Sequence, residues 1–115
     1  MARDRGLEEL IWDHLGRRPG LHAKPMFGGL AWMLNGHLLC GAREDMMMVR
    51  LGKGNDAWAL ALDDVETLAA GARKMPGWVA AGPDTIADDD LRARLLDEAL
   101  SFVLALPPKE PGLPG

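Results

Sequence analysis

The segment that most constrains the fold is "LAWMLNGHLLCGA", residues 30–42, in which two short apolar runs flank Asn35-Gly36. Both central residues of a type I′ turn need positive φ, and an Asn-Gly pair adopts that conformation easily. Apolar runs on both sides of such a pair are typical of a β-hairpin. We therefore predict antiparallel strands at 30–34 and 37–42 that are joined by a tight turn.

A third strand is predicted after this hairpin. A polar break at 43–45 separates it from "MMMVRL", residues 46–51, so the three strands form a meander. Because side chains alternate along a strand, the three consecutive methionines must point to both faces of the sheet. An adaptable, methionine-rich surface suits a binding partner. The alternative is that helices or a second subunit cover both faces, and the sequence leaves this choice open.

Two glycines, Gly28 and Gly29, precede the first of these strands. A phosphate-binding glycine loop leads into the N-terminus of a helix, whereas here a strand follows. The pattern GxxxxGK[ST] is also missing from the sequence. We therefore interpret the glycines as a bulge or bend where the chain enters the sheet.

Helices are predicted on both sides of the meander. Apolar side chains at helical spacing within residues 5–17 predict a helix, which Gly16 ends. A short helix is predicted at 56–62. The segment "DTIADDDLRARLLDEALSFVLAL" predicts the longest helix, with Asp88 as its N-cap and Pro107-Pro108 after its end. Residues 63–72 fit either a helix extension or a loop.

The remaining segment, "RKMPGWVAAG" at 73–82, is predicted to form two short strands around Pro76-Gly77. The order is then helix, three strands, helix, two strands, helix. This order predicts an α+β fold with two layers, in which an antiparallel five-stranded sheet carries its helices on one face. We expect one domain over residues 1–109 and a disordered tail over 110–115.

Composition excludes several classes of protein. The net charge is −4 and the pI is about 5.3, so no basic overall field favours direct binding to nucleic acid. DNA binding would need a local stripe formed by Arg3, Arg5, Arg17, Arg18, His22 and Lys24. The single cysteine and the charged N-terminus fit a cytoplasmic protein without a leader. No apolar run approaches the roughly 18 residues of a membrane span.

Few residues suggest catalysis. Ser101 is the only serine and falls inside a predicted helix, and the metal-binding patterns HxxxH and CxxC are missing. We therefore expect no enzymatic activity, no metal and no cofactor. An alternative hypothesis is a small enzyme or ligand-binding protein that uses a cleft lined by four residues. These are His22, Lys24, His37 and Cys40.

Four segments, "KPMFGGLAWMLNGHLLCG", "MMVRLG", "MPGWV" and "LPPK", resemble the N-terminal domain of the TfoX/Sxy proteins, bacterial regulators of competence genes. The resemblance runs from Leu7 to Lys109. It implies a two-layer, secretion-chaperone-like fold and a regulatory role connected with transcription, and it brings no catalytic residues. Lys24, Arg50 and Trp78 lie in or beside these motifs, so they are the predicted binding residues.

Two hypotheses about partners follow. The first is a non-enzymatic interaction module that binds a protein through its sheet or the edge of its sheet. The second is a homodimer, because one helix layer covers only one face of a sheet. Large apolar residues on the other face then need a second cover, which a two-fold dimer provides. The residues that motivate this prediction are Trp32, Met46, Met47, Met48 and Trp78.

Overall fold

The computed structural model describes residues 4–26, 28–44 and 46–108. The elements in chain order are α1 (Arg5–Leu15), β1 (Leu21–Met26), β2 (Gly29–Leu34), β3 (His37–Arg43), β4 (Met46–Arg50), α2 (Ala57–Leu60), β5 (Val65–Ala70), β6 (Arg73–Ala81), α3 (Pro83–Ala87) and α4 (Asp89–Leu104). The strands form one sheet in the order β1-β2-β3-β4-β6-β5, and every neighbouring pair is antiparallel. The predicted tail at 110–115 lies outside the described residues.

The predicted hairpin and meander are confirmed. Leu34 pairs with His37 across the turn between β2 and β3. Asn35 has φ of +53° and Gly36 has φ of +83°, the left-handed conformation that a type I′ turn requires. β4 then pairs with β3, as the polar break at 43–45 suggested.

The prediction of five strands is wrong, because the sheet has six. The additional strand β1 contains Pro25 and several polar residues, so its sequence does not look like a strand. It lies at the edge of the sheet, where proline is tolerated because one side of the strand needs no backbone donor. The second unexpected strand is β5, which forms from the ambiguous segment at 63–72.

The predicted break at Pro76-Gly77 is also wrong, because β6 continues through it as one strand. Gly77 has φ of +88°, and its carbonyl accepts hydrogen bonds from Leu51 N at 2.8 Å and Gly52 N at 3.0 Å. The register between β5 and β6 shifts nearby. A proline without an amide donor is accommodated at such an irregularity, since no ladder hydrogen bond is lost there.

Gly28 and Gly29 lie where β1 connects to β2. Met26, the last residue of β1, pairs with Gly29, the first residue of β2, and Gly28 has φ of +76°. A Cβ atom at Gly29 would collide with the Ala42 carbonyl oxygen of β3. The glycines therefore permit the turn between β1 and β2 and the close approach of β2 to β3. They do not form a bend at which the chain enters the sheet, because β1 already precedes them.

Helix ends follow the predicted caps, with one difference. Asp88 is the N-cap of α4, and its carboxylate accepts from Asp90 N and Leu91 N. Asp88 itself is extended, so the long predicted helix divides into α3 and α4 at this residue. Gly16, with φ of +66°, follows the last helical residue Leu15 and ends α1 as predicted.

The helices bury their apolar residues against one face of the sheet. One register row of this face runs across five strands and contains Ala23, Trp32, Cys40, Val49 and Val79. It packs with Ile11 and Leu15 of α1 and with Leu95, Leu96, Ala99 and Val103 of α4. A layer of helices on one face of an antiparallel sheet is the predicted arrangement.

Candidate interaction surface

The face of the sheet opposite the helix layer, here called the outer face, carries the residues of the other register rows. Its central row consists of Lys24, Ala31, Gly41, Met48, Ala80 and Glu66. Three of these six residues are small. The Met48 side chain lies over Gly41, because a Cβ atom built there would be 2.6 Å from Met48 Cε. The middle of the outer face therefore carries short side chains around the apolar Met48.

A groove of about 350 Å³ occupies this face beside Met48, and we call it the outer groove. Apolar side chains from β3, β4, β5 and β6 line most of it. They are Leu38, Met46, Met48, Leu68, Met75 and Trp78, with Arg43 at the rim. The β5–β6 hairpin forms one wall, so Met48 is only 4% exposed within the single chain. The volume lies at the lower end of the roughly 300–1,000 Å³ of ligand pockets.

Two of the three predicted binding residues meet beside the outer groove. Arg50 of β4 pairs with Trp78 of β6. The Arg50 guanidinium carbon lies 5.4 Å from the centroid of the Phe102 ring, within the range of a cation–π contact. Arg50, Lys53, Trp78 and Phe102 also line a neighbouring cavity of about 300 Å³. Trp78 therefore connects the apolar groove to a cationic rim.

The third predicted binding residue, Lys24, lies on the same face but not in the same cavity. It is on the edge strand β1, and Met48 of β4 is three strands away in the same row. Lys24 lines a separate cavity of about 530 Å³ with His22, Met33 and Asn35. The structure thus brings Arg50 and Trp78 together and places Lys24 across the sheet from them.

Charge is divided between the two layers. The six strands carry five cations and one carboxylate, which are Lys24, Arg43, Arg50, Arg73, Lys74 and Glu66. The four helices carry three cations and eight carboxylates, which are Arg5, Arg92, Arg94, Glu8, Glu9, Asp13, Asp84, Asp89, Asp90, Asp97 and Glu98. The helix layer is therefore acidic, and the sheet has the opposite sign.

The four-residue cleft of the alternative hypothesis does not form. Cys40 is fully buried on the helix side of the sheet, and burial raises the pKa of its thiol far above the ordinary value. His37 places Nε2 2.7 Å from the carbonyl oxygen of Pro107, at the end of the chain's described part. Only His22 and Lys24 of the four line one cavity.

The DNA-binding stripe is likewise only partly visible, because Arg3 lies outside the described residues. Arg18 directs Nε to the Leu15 carbonyl at 3.2 Å, which ties it to the end of α1. His22 and Lys24 follow on β1. The stripe would therefore have to run from the helix layer onto the edge strand.

Leu68 and Met75 also wall the outer groove, although neither is among the predicted binding residues. Met75 lies in the segment at 73–82 that was predicted as extended, but the strand that carries Leu68 was hidden because the segment at 63–72 is rich in alanine and acidic residues. Val65 and Thr67 are β-branched, and Gly71 follows with φ of +63° at the turn to β6. Two β-branched residues before a turn glycine were the available signal for this hairpin.

A further cavity, of about 500 Å³, lies in the helix layer between α2 and α4. Trp58 Nε1 donates to Glu98 Oε1 at 2.9 Å, and the Arg94 guanidinium carbon lies 3.7 Å from the centroid of the Trp58 ring. Arg94 also donates to Glu98 at 2.9 Å. The polar groups at this site bind one another, which makes it a structural contact between two helices.

The protein is an α+β domain whose antiparallel sheet is covered by helices on one face and carries an apolar groove on the other. Residues 13–103 match the sequence model of the TfoX N-terminal domain, and the chain belongs to this family. No curated protein and no solved structure gives a significant match. Over the described residues, no helix is long and apolar enough to cross a membrane.

Proposed function

We propose that the chain is a non-enzymatic regulatory interaction module of the cytoplasm, which binds a protein partner with an acidic surface through the outer face. Membership of the TfoX N-terminal domain family supports a competence-regulator-like role connected with transcription. The observation that carries the proposal is the outer groove, in which apolar side chains lie beside the paired Arg50 and Trp78.

The chemistry of the outer face suits protein binding. Tryptophan and arginine are enriched where binding energy concentrates in interfaces, and here they are neighbours on adjacent strands. Methionine adapts to different partner shapes because it is unbranched and polarizable, and Met46, Met48 and Met75 all line the groove. The cationic sheet selects an acidic partner, since opposite charges increase the rate of association and disfavour other surfaces.

A photo-crosslinking experiment tests the proposal. A photoreactive amino acid is placed at Met46 on the outer face, or at Leu104 on the helix layer, which is 50% exposed. The protein crosslinked in the producing cell is identified, purified and titrated against the module by calorimetry. We expect the partner to crosslink at residue 46 and not at residue 104.

A matched pair of variants then locates the contact. Arg50 of β4 lies over the Phe102 ring of α4, and Arg94 of α4 lies over the Trp58 ring of α2. Arg50→Glu should weaken the purified partner's binding about tenfold, equivalent to about 1.4 kcal/mol, whereas Arg94→Glu should leave it unchanged. A partner that binds Arg50→Glu normally and loses affinity for Arg94→Glu would place the interface on the helix layer and overturn the proposal.

A further inference from the structure

We infer that the outer groove receives a large apolar side chain from a short, linear, acidic segment of the partner. This inference rests on the proposed function and makes it more specific. It names the kind of ligand, an acidic peptide segment with an apolar anchor, instead of an acidic folded surface.

The size and lining of the groove support an apolar anchor. Its volume is about 350 Å³, at the lower end of the roughly 300–1,000 Å³ of ligand pockets, which suits a single large side chain. Its lining includes the half-buried side chains of Leu38, Leu68 and Trp78. A partner side chain that enters this groove loses its contact with water, and burial of a large apolar side chain is the main source of binding energy at such a site.

The charges of the sheet support an acidic segment around this anchor. Arg50 lies next to Trp78, and Arg73 and Lys74 belong to the β6 end of the hairpin that walls the groove. Glu66 is the one carboxylate among the strand residues, and it lies in the central row of the outer face beside Ala80. Cations around an apolar pocket attract acidic residues that flank an apolar anchor, and salt weakens this attraction.

The same observations disfavour two other occupants. A second copy of the chain would bring two cationic outer faces together, so like charges would repel across a two-fold interface. Single-stranded nucleic acid is bound by several aromatic side chains on which successive bases stack. Trp78 is the one aromatic residue that lines the outer groove in the described part of the chain, while the other lining residues are mainly aliphatic.

The test uses a fluorescein-labelled synthetic peptide of Asp, Glu, Leu and a central Phe, titrated with the full chain by fluorescence anisotropy. Three control ligands are a peptide with Ala in place of Leu and Phe, a peptide with Lys in place of the acidic residues, and a single-stranded oligonucleotide. We expect the acidic Phe peptide to bind and to weaken with added salt. The Ala peptide should bind at least about tenfold more weakly, and the Lys peptide should not bind.

Variants of the protein complete the test. Arg50→Glu and Trp78→Ala should each weaken the acidic Phe peptide about tenfold. Their matched controls, Arg94→Glu and Trp12→Ala, lie on the helix layer and should not change its affinity. Circular dichroism confirms that each variant is folded. If Trp78→Ala is unfolded, the Phe-to-Ala change in the peptide still measures the apolar anchor without altering the protein.

Three results would overturn the inference: no binding of the acidic Phe peptide, equal binding by Arg50→Glu and wild type, or binding of the oligonucleotide alone. A failed peptide titration leaves the proposed function standing if the crosslinked partner still depends on Arg50, because its surface is then a folded one. If that partner is also indifferent to Arg50→Glu, both proposals fall.

Discussion

Gly77 supports the strand that presents Trp78, and its replacement by alanine should destabilise the domain more than an ordinary glycine substitution. Gly77 has φ of +88°, a conformation that L-residues with a side chain adopt at a cost. A Cβ atom there would lie 2.7 Å from Lys53 N and 2.8 Å from Gly52 C, both of them backbone atoms. The substitution therefore adds a steric conflict to a conformational one.

The expected cost can be built from these two parts. The left-handed conformation costs about 1–2 kcal/mol for a residue with a Cβ atom. Carbon atoms pack at about 3.5–4.0 Å, so the segment at 51–53 must move away by roughly 0.5–1 Å. That movement breaks or lengthens the two hydrogen bonds to the Gly77 carbonyl, each worth about 1 kcal/mol. Gly77→Ala should then lose about 3–4 kcal/mol of a total stability of about 5–15 kcal/mol.

Gly71 provides the matched control. It has φ of +63° at the tip of the same hairpin, but a Cβ atom there would meet no atom within 4 Å. Gly71→Ala should cost only the conformational part, about 1–2 kcal/mol. Urea titrations followed by tryptophan fluorescence measure both values, and the melting temperature of Gly77→Ala should fall by roughly 15 °C. Equal losses for the two variants would refute the argument that the close backbone approach at Gly77 matters.

Three further predictions concern other parts of the molecule. Desolvation alone would raise the pKa of Asp64, but hydrogen bonds from the Thr85 hydroxyl, Thr85 N and Asp84 N outweigh it and lower that pKa. The ionised Asp64 therefore stabilises the folded state fully above the unfolded pKa of about 3.9, and this stabilisation is lost as the pH falls through the lower folded pKa. Asp64→Asn should reduce the loss of folding stability below about pH 4 in acid titrations. An acid profile that is the same as that of the wild type would contradict this prediction. Cys40 should react with Ellman's reagent only as fast as the domain unfolds, because it is fully buried and its thiol stays protonated, and immediate reaction of the native protein would show that the site is open. The cationic outer face disfavours the homodimer that the sequence predicts, so the protein should sediment at the monomer mass of 12.5 kDa in the micromolar range. A dimer that dissociates on Met46→Asp but not on Arg94→Glu would place a second copy on the outer face and contradict this; Met47→Asp and Met48→Asp cannot serve, because both side chains are buried.

The hairpin at Asn35-Gly36 and the N-cap at Asp88 could be predicted because each is a local signal. An Asn-Gly pair favours the conformation it adopts here, and the Asp88 carboxylate reaches backbone amides only two and three residues away. Neither depends on the rest of the fold. The sequence pattern alone is sufficient for such elements.

β1 and the continuous β6 could not be predicted, because both depend on tertiary context. Pro25 is acceptable only because β1 is an edge strand, and strand order is not visible in a single sequence. Pro76 is acceptable because the ladder between β5 and β6 is irregular beside it, and the Gly77 carbonyl accepts from Leu51 and Gly52, which are distant in the chain. Local propensity predicted no strand at β1 and a break in β6, and long-range pairing overrode it.

The candidate site was predictable in part for the same reason. Arg50 and Trp78 belong to recognisable motifs, and strand alternation places each on the outer face once the register is known. The groove beside them also needs Leu68, which comes from the segment at 63–72 that the sequence left ambiguous. Lys24 was correctly assigned to a surface, yet its distance from Arg50 follows only from the strand order.

The outer groove is the part of the molecule that folding alone does not explain. An antiparallel sheet with helices on one face normally carries polar residues on the other, because that face meets water. Here Leu38, Met46, Met48 and Trp78 occupy such positions, and the fold covers Met48 only by bringing the β5–β6 hairpin over it. A core built from Trp32, Val49 and Leu95 on the opposite side does not require them. Leu38, Met46 and Trp78 stay half-buried along a groove that is open to a ligand, and the cationic residues of the sheet limit which ligands approach. The position of the groove, between an arginine–tryptophan pair and a hairpin wall, is therefore best accounted for by binding.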